Sequence, residues 1–257
     1  MMQPDIPADS TEVVISRRFR GPPDSANGGY ACGVIGCSLH GPARVRLSAP
    51  PPLDTPMVLR HPDPNTAELL LNGASVGRAG RADATWEIPD PVDYDQAVGA
   101  SRAFPWYEVH PFPSCFVCGP DRAEGDGLRI HPGALAERRI VAAPWVPVAS
   151  VCDASGLVQP EIVWAALDCP SWFGILEFEA GVRYALLGEL AARIIERPSQ
   201  NTRCVIVGWA SGRDGRKLYG GTAIYSASGA LVATSAATWV ELKDAPYAKR
   251  SVAKSQL

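Results

Sequence analysis

Two hydrophobic patterns alternate along the chain. The first is a short apolar run bounded by a tight-turn dipeptide. Leu69-Leu70-Leu71 leads through Asn72-Gly73 into Ala74-Ser75-Val76, and Val205-Ile206-Val207-Gly208-Trp209 leads through Asp214-Gly215 into Lys217-Leu218-Tyr219. Thr222-Ala223-Ile224-Tyr225 leads through Ser228-Gly229 into Ala230-Leu231-Val232. Asn-Gly and Asp-Gly readily take the positive φ angles of a two-residue turn, so these runs predict antiparallel meanders. The second pattern is a longer apolar run with no polar face. One such run, opened by Asn27-Gly28, predicts a helix over Gly29–Leu39; another, opened by Pro160, predicts a helix over Glu161–Asp168. The second is apolar nearly all round from Ile162 to Leu167, which marks a buried helix. The first carries Gly33 and Gly36 in its interior. Each costs about 1 kcal/mol against alanine, which points to another element packed close to the backbone there.

A helix candidate followed by strands thus occurs twice. Each half also ends on a similar string, Ala84-Thr85-Trp86-Glu87-Ile88 and Ala237-Thr238-Trp239-Val240-Glu241-Leu242. The spacing from the hairpin glycine to the tryptophan is thirteen residues in the first case and ten in the second. Residues 89–113 are proline-rich, lack either periodicity and read as a connection. The expected organisation is a first unit over 11–88, a linker over 89–113 and a second unit over 114–243, with a polar tail beyond.

Composition narrows the function classes. The chain has 257 residues, 46% of them apolar and 20% charged, with net charge -3, as an ordinary globular protein has. Without a basic run or basic–aromatic interleaving, a nucleic-acid partner is not expected. The N-terminus lacks a basic segment followed by an apolar one, and no window offers the ~18 apolar residues of a membrane helix. A cytoplasmic protein is expected. Of seven cysteines, Cys32, Cys37, Cys169 and Cys204 stand in apolar contexts and read as small buried hydrophobes in a reducing compartment. Cys115-x-x-Cys118 has the spacing of half a zinc site, but no second pair accompanies it, so no metal is expected. Gly73-Ala74-Ser75-Val76-Gly77 matches a nucleophile elbow, yet strand-like residues follow it where a helix is required. His40, His61, His110 and His131 are scattered in Pro/Gly-rich surroundings, none at a helix start beside an acid.

The segment Phe19-Arg20-Gly21-Pro22-Pro23-Asp24-Ser25-Ala26-Asn27-Gly28-Gly29 resembles the approach to the central helix of hotdog thioesterases. Many of those open the helix with His-Gly-Gly and carry an acid eight positions after the first glycine. Here Asn27 stands in the histidine's place, and eight positions beyond Gly28 is Gly36, so the first half has no acid. In the second half Gln159-Pro160-Glu161 takes the place of the motif, and Asp168 stands eight positions beyond Pro160. Cys115-Phe116-Val117-Cys118-Gly119-Pro120, with Gly127-Leu128-Arg129 after it, looks like the opening strand of some members.

The resemblance covers roughly 12–88 and 115–242 and implies an α+β double hotdog, two long central helices each wrapped by antiparallel sheet. It further implies one complete site of two, with Asn27, Gly28 and Gly29 from one half and Asp168 from the other. Gly28 or Gly29 would form the oxyanion hole, the Asn27 amide would orient the carbonyl, and Asp168 would be general base or nucleophile. The implied substrate is an acyl-CoA or acyl-carrier thioester, with no cofactor beyond that CoA moiety, in a monomer or homodimer of fused halves. A hotdog hydratase or dehydratase and a non-catalytic acyl-binding protein are the alternatives. Arg213, Arg216 and Lys217 fit either CoA phosphates or a polar hairpin tip.

Overall fold

The computed structural model describes residues 10–83, 85–182 and 184–242. Before the first helix, α1 (Gly28–Gly36), runs β1 (Ser10–Val14); after it come β2 (Ala43–Leu47), β3 (Pro56–Asp63), β4 (Thr66–Leu71) and β5 (Ala74–Arg81). Next are α2 (Tyr94–Arg102), β6 (Gly133–Leu135), β7 (Ile140–Trp145), α3 (Pro160–Ala166) and α4 (Cys169–Phe178). Last come β8 (Ala185–Ile194) and a meander of β9 (Cys204–Asp214), β10 (Lys217–Ser226) and β11 (Leu231–Glu241). All the strands form one eleven-stranded antiparallel sheet, ordered β1-β3-β4-β5-β2-β8-β11-β10-β9-β7-β6. The order β1-β3-β4-β5-β2 on one side matches β7-β9-β10-β11-β8 on the other. In both, a helical segment separates the first strand of the set from the second.

The two sets meet where β2 pairs β8. Ala43 lies opposite Ala192 and Arg44 opposite Ala191, and the Arg44 guanidinium reaches Glu189 at 2.5 Å. The tight turns fall where the sequence predicts them: Asn72 and Gly73 have φ of 49° and 82°, and Gly215 and Gly229 are also left-handed. Ser75 lies inside β5 with no helix after it, so the nucleophile-elbow match is a coincidence of a hairpin.

The long central helices of the resemblance are corrected. α1 has nine residues, and the second-half segment is split into α3 with seven and α4 with ten. The helix expected over Glu161–Asp168 ends at Ala166, and α4 had no counterpart in the sequence reading. Residues 89–113 hold α2, capped by Asp93, which accepts from the Asp95 and Gln96 amides. Asp93 with Gln96 three residues on was the available signal. This segment covers the outer face of the sheet: Val92, Ala97 and Ala100 pack with Val205, Val207, Ala223 and Tyr225. That explains why the start of β9 is continuously apolar rather than alternating, since it is buried on both faces. Cys115–Pro120 is a run of turns, and the opening strand of the second set is β7. The two tryptophan strings are not equivalent, because Trp239 lies inside β11 while Trp86 lies beyond the end of β5 and donates to Thr234. Ala84 and the tail from 243 lie outside the described residues. No helix among the described residues is long and apolar enough to cross a membrane.

The layer that positions the site is the packing of α1 on α3. A Cβ on Gly29 would lie 2.7 Å from the Trp164 carbonyl oxygen, and one on Gly33 would lie 2.7 Å from the Glu161 Cα. Of the two glycines expected to admit a close neighbour, Gly33 meets the backbone of the other helix and Gly36 its Trp164 ring. Gly33→Ala would gain about 1 kcal/mol of helix propensity but force apart two backbones, at a cost of typically 1–3 kcal/mol. Urea denaturation should therefore show Gly33→Ala destabilised, by up to about 2 kcal/mol. Gly99→Ala on α2, where nothing lies within 4 Å, should instead be stabilised by about 0.5–1 kcal/mol.

Candidate functional site

The break between α3 and α4 is built by Pro170, which has no N–H for the helical ladder and whose ring excludes the carbonyl four residues back. Asp168 sits at the break with φ -81° and ψ -80°. The carbonyls freed there are satisfied by side chains: Ser235 Oγ donates to Leu167 at 3.2 Å, and Ser171 Oγ donates to Asp168 at 2.8 Å. Trp239 Nε1 donates in turn to Ser171 Oγ at 2.9 Å, so a strand of the sheet fixes the break.

From this break the Asp168 carboxylate reaches across the helix seam. Its Oδ2 accepts from Asn27 Nδ2 at 2.8 Å and from the Gly29 amide at 2.9 Å. Asp168 and Asn27 are each only 2% exposed. Asn27 is also the cap of α1, its Oδ1 accepting from the Tyr30 amide at 2.9 Å. The other carboxylate oxygen, Oδ1, is buried with no hydrogen-bond partner among the described residues. Burial pushes the Asp168 carboxyl up to about 7; the Gly29 amide opposes the rise, Cys115 adds to it, and Asn27 opposes it again.

Asp168, Asn27 and Gly28 line one cavity at the seam of the two strand sets. Its walls are mainly apolar, from Leu47, Phe112, Trp172, Phe173, Leu187 and Trp239. The space open to the centre of a water molecule is about 80 Å³, several times the ~10–15 Å³ one water requires. The cavity is therefore large enough for water beside a small or slender group.

All four residues singled out in the sequence come together here, though with different partners than expected. The Gly29 amide is occupied by Asp168, while the Gly28 amide has no hydrogen-bond partner among the described residues. The Asn27 amide is spent on Asp168 and on Cys169 Sγ, 3.8 Å away, and is not available to orient a carbonyl. The mirror position, where the first half has Gly36 in place of an acid, is filled by the Trp164 ring; a Cβ on Gly36 would lie 2.7 Å from it. Arg213 is tied to Glu241 at 2.6 Å, and Arg216 reaches the Glu241 carbonyl at 3.4 Å.

Two sets of residues escaped the sequence reading. His110 lines the cavity, its Nδ1 accepting from the Phe112 amide at 3.0 Å and its Nε2 buried without a hydrogen-bond partner; burial lowers its pKa. Cys169, read as an isolated hydrophobe, joins Cys115 and Cys118 on the same wall, whereas Cys37, read the same way, is exposed. The adjacency of Asp168 and Cys169 in sequence was the only available signal.

Asn27 thus has two buried tasks. Asn27→Ala removes a helix cap worth about 0.5–2 kcal/mol and a donor to a carboxylate worth about 1.5–3 kcal/mol. Chemical denaturation at pH 7 should show a loss of about 2–4 kcal/mol.

No protein-family model matches the chain, and no curated protein does. Solved structures do match. A protein of Novosphingobium aromaticivorans, provisionally named a thioesterase, is 10% identical with a TM-score of 0.62, over 94% of this chain and 98% of its own. Acyl-CoA thioesterase II TesB2 of Mycobacterium marinum is 10% identical with a TM-score of 0.58, over 94% and 95%. A conserved Alicyclobacillus acidocaldarius protein of unknown function with a hot dog fold is 11% identical with a TM-score of 0.52, over 93% and 95%. Likeness at these identities is likeness of fold: the chain is a hotdog-fold protein over nearly its whole described length.

Proposed function

Starting from a hotdog fold, we propose that this chain hydrolyses an acyl thioester, of CoA or of an acyl carrier, in the cavity between its two halves. One observation carries the reading. A buried carboxylate from one half is held by one oxygen against the helix start of the other half, its second oxygen has no hydrogen-bond partner among the described residues, and the residue lines a mainly apolar cavity. Burying such a group is costly, and the arrangement spends that cost at a helix N-terminus, where an anion is stabilised. Structural neighbours named as thioesterases support the same reaction class.

In this reading the thioester carbonyl oxygen accepts from the Gly28 amide, aided by the positive end of α1. Asp168 Oδ1 takes a proton from water as the water oxygen bonds to the carbonyl carbon. The tetrahedral oxyanion then collapses, the carbon–sulfur bond breaks, and the sulfur leaves as a thiol with the proton returned by Asp168. Asn27 and the Gly29 amide fix the carboxylate so that only Oδ1 faces the reacting atoms. The narrow cavity favours a short or slender acyl group. A hydratase would need a histidine acting with the acid; His110 lines the cavity with its Nδ1 held by the Phe112 amide, and no hydrogen bond among the described residues joins it to Asp168.

Asp168→Asn is nearly isosteric and its carbonyl can accept from both Asn27 and Gly29, so the fold should persist. Thiol release from a panel of acyl-CoAs should show kcat falling by about 10²–10⁴-fold with KM little changed. A variant at full rate would remove Asp168 from the mechanism. Tight binding without turnover by the wild-type protein would make it an acyl-binding protein, and hydration of an enoyl-CoA would make it a hydratase.

A further inference from the structure

Cys115, Cys118 and Cys169 are all buried, none is in a disulfide, and their sulfurs lie within 4.8 Å of one another. We infer that these three thiols form a binding site for a thiophilic divalent metal ion, zinc in the first instance, with a fourth position open to the cavity.

The geometry is that of a coordination shell. A tetrahedral ion with metal–sulfur bonds of about 2.3 Å places its sulfurs about 3.8 Å apart, and the Cys115 and Cys169 sulfurs are 3.8 Å apart. The pair in the turn is held tightly. The Gly119 amide donates to the Cys115 carbonyl at 2.9 Å, and a Cβ on Gly119 would lie 2.5 Å from the Cys115 backbone. The amides of Leu128 and Ile130 donate to the carbonyls of Phe116 and Val117, at 2.8 and 2.9 Å, and pin the intervening residues. The third sulfur comes from a distant segment, as the first residue of α4. The Asn27 amide, 3.8 Å from Cys169 Sγ, adds a donor to that sulfur.

Simple burial does not account for this arrangement. Thiols packed as hydrophobes have no reason to point at one another, and a disulfide would use two sulfurs and strand the third. Three protein ligands with the fourth position facing a cavity is the pattern of a reactive ion rather than a closed structural one. All three cysteines line the cavity that Asp168 lines. The inference stands on the sulfur geometry and does not depend on the hydrolase reading.

Metal content decides it. The full chain, expressed with zinc in excess and purified without chelator or metal-affinity resin, should carry about one zinc ion per molecule by elemental mass spectrometry. Cobalt added to the metal-stripped protein should give the intense near-ultraviolet thiolate-to-cobalt band and the visible bands of a tetrahedral ion. Cys118→Ser and Cys169→Ser should each lower metal content roughly tenfold or more, while Cys204→Ser, at a buried cysteine outside the group, should leave it unchanged. Wild-type protein with less than about a tenth of an equivalent of zinc and no cobalt spectrum would overturn the inference. So would a Cys115–Cys169 disulfide in the native protein. Both readouts come from the wild-type chain, so a variant that fails to fold does not blunt the test.

Discussion

The contact between α1 and α3 governs this molecule. Two helices normally keep 8–10 Å between their axes, a distance set by the side chains between them. Here Gly29 and Gly33 remove the side chains on one partner, and the backbones approach until a single added methyl group would strike Glu161 or Trp164. That approach is what lets a carboxylate at the end of α3 reach the first amides of α1. A wider spacing would leave Asp168 buried with neither donor, which no protein of ordinary stability tolerates cheaply.

Asp168 is therefore held between opposing effects, of which burial is the larger. Burial favours the neutral acid, and the Gly29 and Asn27 donors favour the anion. The polypeptide supports this with a second tier that never touches the carboxylate. Pro170 breaks the helix, Ser171 and Ser235 absorb the carbonyls the break releases, and Trp239 steadies Ser171 from β11. A polar group in an apolar setting is positioned when the backbone atoms beside it have partners, and the Leu167 and Asp168 carbonyls have theirs.

Much of this was legible in the chain, and the failures have physical causes. Hairpin turns at Asn72-Gly73, Asp214-Gly215 and Ser228-Gly229 were readable because they depend on residues within four positions of one another. The interior glycines of α1 announced a close neighbour without saying which. The convergence of Asn27 and Asp168 followed from the resemblance, as local pattern cannot bring together residues so far apart. The split of the second helix was missed because a proline after an acid signals an end as readily as a kink. α2 was missed because its apolar positions are few and face the outside of the sheet, away from the main core. The role of Cys169 could not be read at all, since the partners of a lone cysteine are a tertiary fact. The sequence left the oxyanion role to the Gly28 or the Gly29 amide, and the fold gives the Gly29 amide to the carboxylate itself.

The pairing of β2 with β8 has a further meaning. Where two separate copies of one chain meet about a twofold axis, every substitution arrives twice, and a residue suited to one seam is forced on the other. A polypeptide that runs one sheet through both sets of strands is released from that arithmetic. It can place a carboxylate at one seam and an indole at the other, and each can be altered without its counterpart following.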